Sequence, residues 1–327
     1  MSEYSNLNIS RRNRLDGTVV IVDGIGRTGK GMIGTILSSF SRVEIERLEH
    51  ALEWVSILHK LGQMKHEAAV WALQMEADNF LINSMIGRNT NFRYADQSSV
   101  WGAPGSLRYF RRIFIRDKES VIETINKTRP IFQSQTHNQI SNFKLYYDAF
   151  GDRLRFIELI RHPVDIIDAW MRRGFGKRFG VDPLQLTMCI NHQGVDIPYL
   201  ALGWEDTYLT ATPMERVVKM IESWWNSSMS AYDSLADKMK EQILFIPFEE
   251  FVQNPQPYLH SLSSFIGSSL TRHTSGILRR ENCPRILSIG DREKKQRQFE
   301  DKLSDEYTQK MHRLINQYEQ MVAQFIL

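Results

Sequence analysis

Residues 19–37 read VVIVDGIGRTGKGMIGTIL, an apolar run that breaks into glycines at Gly24 and then resumes apolar character at helical spacing. A buried strand, a glycine-rich turn and a helix start, in that order, bring unpaired backbone N–H groups and the positive end of a helix dipole to one point. That arrangement suits an anion. The glycines at 24, 26, 29 and 31 let the backbone curl closely around it. The spacing Gly24-x-x-x-x-Gly29-Lys30 satisfies most of a nucleoside-triphosphate loop, but Gly31 stands where that loop carries the Ser or Thr that holds magnesium. The stretch therefore predicts a phosphate-binding loop after the first strand, with two cations, Arg27 and Lys30, and no hydroxyl for a metal at the usual place.

The composition limits what such a loop could serve. The chain has 327 residues, 42% hydrophobic and 24% charged, enough for a substantial core. A net charge of +3 favours anionic partners only weakly, and no face or tail is dedicated to nucleic acid. Two cysteines, Cys189 and Cys283, are too few for a disulfide framework or a zinc site and read as reduced thiols of a cytoplasmic enzyme. Residues 1–16 form a polar tail with no apolar stretch behind its arginines, and no later run approaches a membrane span. Nothing in the sequence sets an oligomeric state.

Beyond the tail, strand-like runs at 19–23, 42–45, 131–134, 155–160 and 243–248 alternate with helical patterns. The helices are expected at 29–40, 46–61, 67–86, 140–150, 163–173, 213–240, 258–266 and 304–325. This alternation predicts a single α/β domain over 17–327, with a central parallel β-sheet flanked by helices. Residues 174–212 are loop-like and rich in glycine, proline and aromatics, a length that within a compact domain marks a functional, substrate-covering segment.

Three further clusters bear on the anion. In RFIELIRHPVDIIDAW, a β-rich run ends at Arg161 and Pro163 starts a helix, which puts Arg161 at a strand's carboxyl end, where open α/β sheets bind ligands. In IFQSQTHNQ, a second strand ends at His137 on the same edge. In CPRILSIGDREKK, Arg285 and the pair Gly290 and Asp291 lie in an irregular segment ahead of the last helix. Each taken singly is as well explained by a surface arginine, a structural histidine or a solvated basic loop.

In their shared order and spacing these clusters resemble the sulfotransferase family that uses 3′-phosphoadenosine 5′-phosphosulfate, and the resemblance covers most of the chain. GRTGKG at 26–31 is similar to the family's loop Pro-(Lys or Arg)-Ser-Gly-Thr-Thr, with Arg27 on the cation and Gly29 on the glycine. Gln135-Thr136-His137 resembles its Lys-Thr-His strand end, and Arg161-His162-Pro163 its Arg-x-Pro element. Arg285 with Gly290 and Asp291 resembles its late loop, and ILFIPFEEFVQNPQPYLHSLSSFIG at 243–267 its strand, acidic pair and helix. The chain departs from the family at Gln135, at Lys30 and Gly31, at Arg292 where an aromatic is common, and at Ala169, where a 3′-phosphate serine is usual.

The resemblance implies a sulfuryl transfer from that donor to an acceptor hydroxyl, leaving 3′,5′-adenosine bisphosphate and needing no metal. His137 would be the general base and Arg27 would stabilise the leaving phosphate. Gly26, Arg27, Thr28, Gly29, Lys30 and Gly31 would hold the 5′ end, with Lys30 as a mobile point charge. Arg161, Arg285, Gly290 and Asp291 would hold the 3′ phosphate. The acceptor is a small molecule, glycan or lipid with a hydroxyl group. Two other readings stay open: a kinase-like phosphotransferase, from the Gly24 to Lys30 pattern, and a catalytically degenerate nucleotide-binding member, from Gln135 and Ala169. Glu44, Glu46 and Glu49, in VEIERLEHALEW, are alternative bases. Trp224 and Trp225 read as core residues of which one could line an acceptor cleft.

Overall fold

The computed structural model describes residues 7–48, 50–96, 98–116 and 119–325. Among the described residues the strands are β1 (Val19–Asp23), β2 (Arg47–Leu48), β3 (Phe132–Gln135), β4 (Leu154–Ile160), β5 (Cys189–His192), β6 (Val195–Pro198) and β7 (Ile243–Pro247). The helices up to the middle of the chain are α1 (Lys30–Leu37), α2 (His50–Lys60), α3 (His66–Met85), α4 (Leu107–Arg112), α5 (Ser120–Thr128), α6 (Phe143–Phe150), α7 (Pro163–Arg173) and α8 (Phe175–Arg178). They continue as α9 (Glu205–Thr210), α10 (Pro213–Asp233), α11 (Asp237–Lys240), α12 (Phe248–Gln253), α13 (Pro255–Ile266), α14 (Thr274–Arg280), α15 (Ile289–Glu300) and α16 (Asp305–Phe325).

Five strands form one parallel sheet in the order β2-β3-β1-β4-β7, and β5 and β6 form a separate antiparallel hairpin. β1 lies at the centre, with Val19 level with Phe132 on one side and Leu154 on the other. All five of its residues are buried, as expected of a parallel strand covered on both faces. The two-residue alternation divides them: Val19 and Ile21 pack with Phe132, Phe143, Tyr146 and Phe156, whereas Val20 and Val22 pack with Ile33, Ile36, Leu37, Phe251 and Leu259. The sheet is thus the middle layer of three.

This topology puts functional positions on one edge. Chain order departs from β1 to both of its neighbours, so the carboxyl ends of β1, β3 and β4 flank a switch point, where α/β sheets leave a crevice. Gly24 follows β1, Arg161 follows β4, Phe248 follows β7, and His137 stands two residues beyond β3.

Some elements differ from expectation. The strand expected at 42–45 reduces to one bridge, Val43 to Ile131, because Arg42 has a positive φ of 65°; ladder pairing resumes at β2. The helix expected at 213–240 stops at Asp233 and restarts at Asp237. Residues 174–212 hold α8, the β5–β6 hairpin and α9 rather than plain loop. Part of the N-terminal tail docks: Asp78 on α3 accepts from the Arg11 guanidinium at 2.5 Å and from Leu15 N at 3.0 Å. No helix among the described residues is long and apolar enough to cross a membrane.

Candidate functional site

The loop after β1 is held from three sides. Gly24 has φ 136° and Gly29 φ 102°, and a Cβ on Gly29 would lie 2.5 Å from the Phe248 ring, so only glycine allows that approach. Trp170 Nε1 on α7 donates to Gly26 O at 2.8 Å, and Arg161 Nη1 donates to Arg27 O at 2.8 Å. Arg27 itself takes a positive φ of 74°, an unusual state for a residue other than glycine that the two flanking hydrogen bonds maintain. Gly29 caps α1, whose first-turn N–H groups have no intrahelical acceptor, and Gly31 lies in that turn.

Lys30 does not have the mobility expected of it. It is 2% exposed, and its Nζ donates to Gly24 O at 2.5 Å. Burial lowers its pKa to about 8, against the opposing charges of Asp23, Glu53, Glu158 and Glu46. Its charge sits beneath the loop as a fixed part of the cradle. Thr28 is also turned inward: its N–H donates to Ile25 O at 3.3 Å, and its buried Oγ1 has no partner among the described residues.

The β3 end is pinned by Asp23, the last residue of β1. Its carboxylate accepts from Thr136 Oγ1 and from Ile140 N, each at 2.9 Å, so the turn carrying His137 is clamped on both sides. Both Asp23 oxygens thus serve the turn. His137 Nδ1 lies 2.8 Å from Oε1 of Glu53 on α2. Burial alone would raise the Glu53 pKa, but His137, Lys30 and His50 outweigh it and hold the carboxyl below its ordinary value. An ionised carboxylate only accepts, so His137 Nδ1 carries a proton toward Glu53.

Arg161 and Arg285 converge on one ring. Their guanidinium carbons lie 4.5 and 5.4 Å from the centroid of Phe248. Burial lowers the Arg161 pKa, partly offset by Asp165 and Glu249 and reinforced by Arg285 and Arg292. The buried Nε of Arg161 has no partner among the described residues. The turn is built by its neighbours: Glu249 Oε1 accepts from His162 N at 3.0 Å, Tyr318 donates to its Oε2 at 2.6 Å, and His162 Nδ1 accepts from Val164 N to cap α7. Arg27 is likewise crowded by cations: partial enclosure first, then Arg173, Arg161 and Arg172, lower its pKa.

One cavity of about 600 Å³ collects these groups, with Gly26, Arg27, Gly29, Lys30, Gly31, Arg161, Phe248 and Arg285 on one side and Glu53, Gln135 and His137 among the rest of its lining. Gly290 and Asp291 are not among the lining residues. They lie exposed in the first turn of α15, where the Ser288 side chain accepts from Asp291 N, so the expected irregular loop is a capped helix. Arg292 pairs with Asp165 at 3.0 Å and docks α15 on α7, which accounts for a cation at that position. Ala169 is buried on α7 and does not line the cavity.

Of the alternative bases, Glu44 is taken by Arg112 at 2.5 and 2.8 Å and by Ser84. Glu46 is buried against Gly34, and Glu49 lies outside the described residues. Glu53, in the first turn of α2, is the glutamate of that stretch that lines the cavity; Glu281, on the Arg285 side of the sequence, lines it too. A helix with a glutamate in its first turn was the available signal, and its i−3 neighbour His50 also lines the cavity. Trp225 is core, and Trp224 lines the cavity edge-on to Trp170 at 5.7 Å.

No protein-family model matches the sequence, and no curated protein matches it. Among solved structures the chain is similar to the sulfotransferase domain from the curacin biosynthetic pathway, at 14% identity and a TM-score of 0.49 over 94% of this chain and 99% of that chain. It is also similar to the sulfotransferase domain from the Synechococcus PCC 7002 olefin synthase, at 12% identity and 0.42 over 96% and 90%. A third similar structure is a sulfotransferase from Alicyclobacillus acidocaldarius, at 15% identity and 0.39 over 94% and 97%.

Proposed function

We propose that the chain transfers a sulfuryl group from 3′-phosphoadenosine 5′-phosphosulfate to an acceptor hydroxyl. The observation that carries this reading is the presence, in one cavity, of two separate cationic positions and a carboxylate-oriented imidazole. Arg27 belongs to the loop after β1, the Arg161 and Arg285 pair shares Phe248, and His137 stands against Glu53. A donor with phosphate groups at both its 5′ and 3′ ends matches two cationic positions, and the unpartnered Arg161 Nε is a buried donor suited to a phosphate oxygen.

In the step proposed, the acceptor oxygen bonds to sulfur while the bond from sulfur to the bridging phosphate oxygen breaks. The hydroxyl proton passes to His137 Nε2, and the electron pair leaves on the phosphate of 3′,5′-adenosine bisphosphate. Arg27, the buried Lys30 charge and the first-turn N–H groups of α1 lower the energy of that developing charge. Glu53 stabilises the imidazolium that forms. A phosphotransferase lysine that must reach a β- or γ-phosphate is a poorer match to Lys30, whose Nζ is engaged by Gly24 O.

The test is bisphosphate production from the labelled donor with a mixed set of hydroxyl acceptors and excess chelator. Acceptor-dependent release supports the reading. Release only with magnesium, or transfer only from ATP, contradicts it.

A further inference from the structure

Resting on the reading above, we infer that the acceptor is a neutral, predominantly apolar alcohol or phenol. The donor side of the cavity carries the cations; the side beyond His137 is walled differently. Trp54 and Ile57 come from α2, Phe179 closes α8, and Leu184, Leu186 and Met188 come from the segment that leads into the β5–β6 hairpin. The uncharged polar side chains of the lining, His50, Gln135, Gln185, Thr187 and Tyr199, are fewer than the hydroxyls of an oligosaccharide, and the carboxylate of Glu53 is committed to His137. A saccharide buried against such a wall would leave hydroxyls without partners, which costs more than the apolar contact returns.

Nor does this wall offer counter-charges for an anionic acceptor. The basic run at 172–178 could have supplied them, but Arg172 pairs with Asp168 and Arg178 with Asp182, and none of Arg172, Arg173, Lys177 and Arg178 lines the cavity. What that run contributes to the cavity instead is Phe175, whose ring packs at 4.7 Å against Phe179.

The rim has the same chemistry. Leu184 is 83% exposed and Leu186 50% exposed, although both belong to the cavity lining. Leu186 holds a positive φ of 47°, a conformation that costs a leucine, and leaves half of its surface exposed. Large apolar side chains held at a cavity mouth gain by covering an apolar ligand. Trp54, 39% exposed, lies nearly parallel to His50 at 5.6 Å and offers a flat face at the opposite rim.

The experiment is equilibrium binding to the full chain, with and without 3′,5′-adenosine bisphosphate, of 2-naphthol, 1-octanol, maltotriose and polygalacturonate. The first two are expected to bind at least tenfold more tightly than the saccharides, and the double variant Leu184→Asp with Leu186→Asp, at exposed positions, to weaken 2-naphthol at least tenfold with unchanged melting. Equal or tighter binding of maltotriose or polygalacturonate, or undiminished 2-naphthol binding by the variant, overturns the inference. Absence of bisphosphate binding overturns the donor reading instead, and the nucleotide-free 2-naphthol titration still decides the acceptor class.

Discussion

His137 Nδ1 and Glu53 Oε1 stand 2.8 Å apart, joining the turn after β3 to helix α2 across the cavity wall. The contact fixes the imidazole's tautomer and orientation, and it supplies a negative charge that favours the protonated ring during proton transfer. Two substitutions separate these roles. His137→Ala is expected to lower turnover by roughly a hundredfold or more while leaving bisphosphate affinity intact. Glu53→Gln keeps the size of the side chain and removes the charge, so turnover should fall with little change in acceptor KM, and the acid limb of the turnover pH profile should move to lower pH. Near-normal turnover in His137→Ala would remove it as the base.

The two guanidinium groups on Phe248 should not be equivalent. Arg285→Ala is expected to weaken the bisphosphate by about 1.5 to 3 kcal/mol, the range for a charged hydrogen bond, with little effect on AMP. Arg161→Ala should weaken both ligands, the bisphosphate more, because Arg161 also holds the Arg27 carbonyl of the loop. Calorimetric titration of both nucleotides into both variants checks this; equal losses for the two ligands in Arg285→Ala would assign it a structural role.

The glycine-rich turn can be tested without any ligand. At Gly24, with φ 136°, an added methyl would run into the Leu159 carbonyl of the neighbouring strand. Gly24→Ala should therefore destabilise by about 3 kcal/mol, at the upper end of single substitutions, whereas Gly194→Ala, in the open hairpin turn with nothing near, should show only the milder strain of its positive φ. Chemical denaturation of both variants gives the comparison.

How much of this was legible in the sequence follows from how local each signal is. The β1 strand, its glycines and the start of α1 are consecutive, and their spacing carries their geometry. A strand end is also a local property: Arg161 stands at one as expected, and His137 stands two residues past one, not at it. Glu53 was missed because its partner is 84 residues away and its own surroundings resemble any helix with mixed polarity. The buried state of Lys30 is not legible for a related reason: its charged neighbours Asp23 and Glu158 come from β1 and β4 and Glu53 from α2, which only the fold brings together. Gly290 and Asp291 were read as a loop because a helix as polar as α15 shows no apolar stripe, and what holds it in place is the pairing of Arg292 and Lys295 with Asp165.

Acid stability should report on the α7 cap. Burial, with Arg292 next, lowers the His162 pKa to about 4, while the unfolded chain titrates near 6.5. The unfolded state binds the proton first, so the stabilisation is complete above 6.5 and is lost as pH falls toward 4, by on the order of 3 kcal/mol. His162→Asn retains a capping side chain and should flatten that part of the stability curve. An unchanged slope between pH 6.5 and 4 in the variant would show that His162 does not set it.

Donor recognition is tested most directly by comparing the affinities of 3′,5′-adenosine bisphosphate, AMP and magnesium ATP for the full chain at one pH and salt concentration. With Arg27 and the fixed Lys30 charge in the loop after β1 and the Arg161 and Arg285 pair on Phe248, the bisphosphate is expected to bind at least tenfold more tightly than AMP, and more tightly than magnesium ATP. Equal affinity for the bisphosphate and AMP, or a preference for magnesium ATP, would contradict the account.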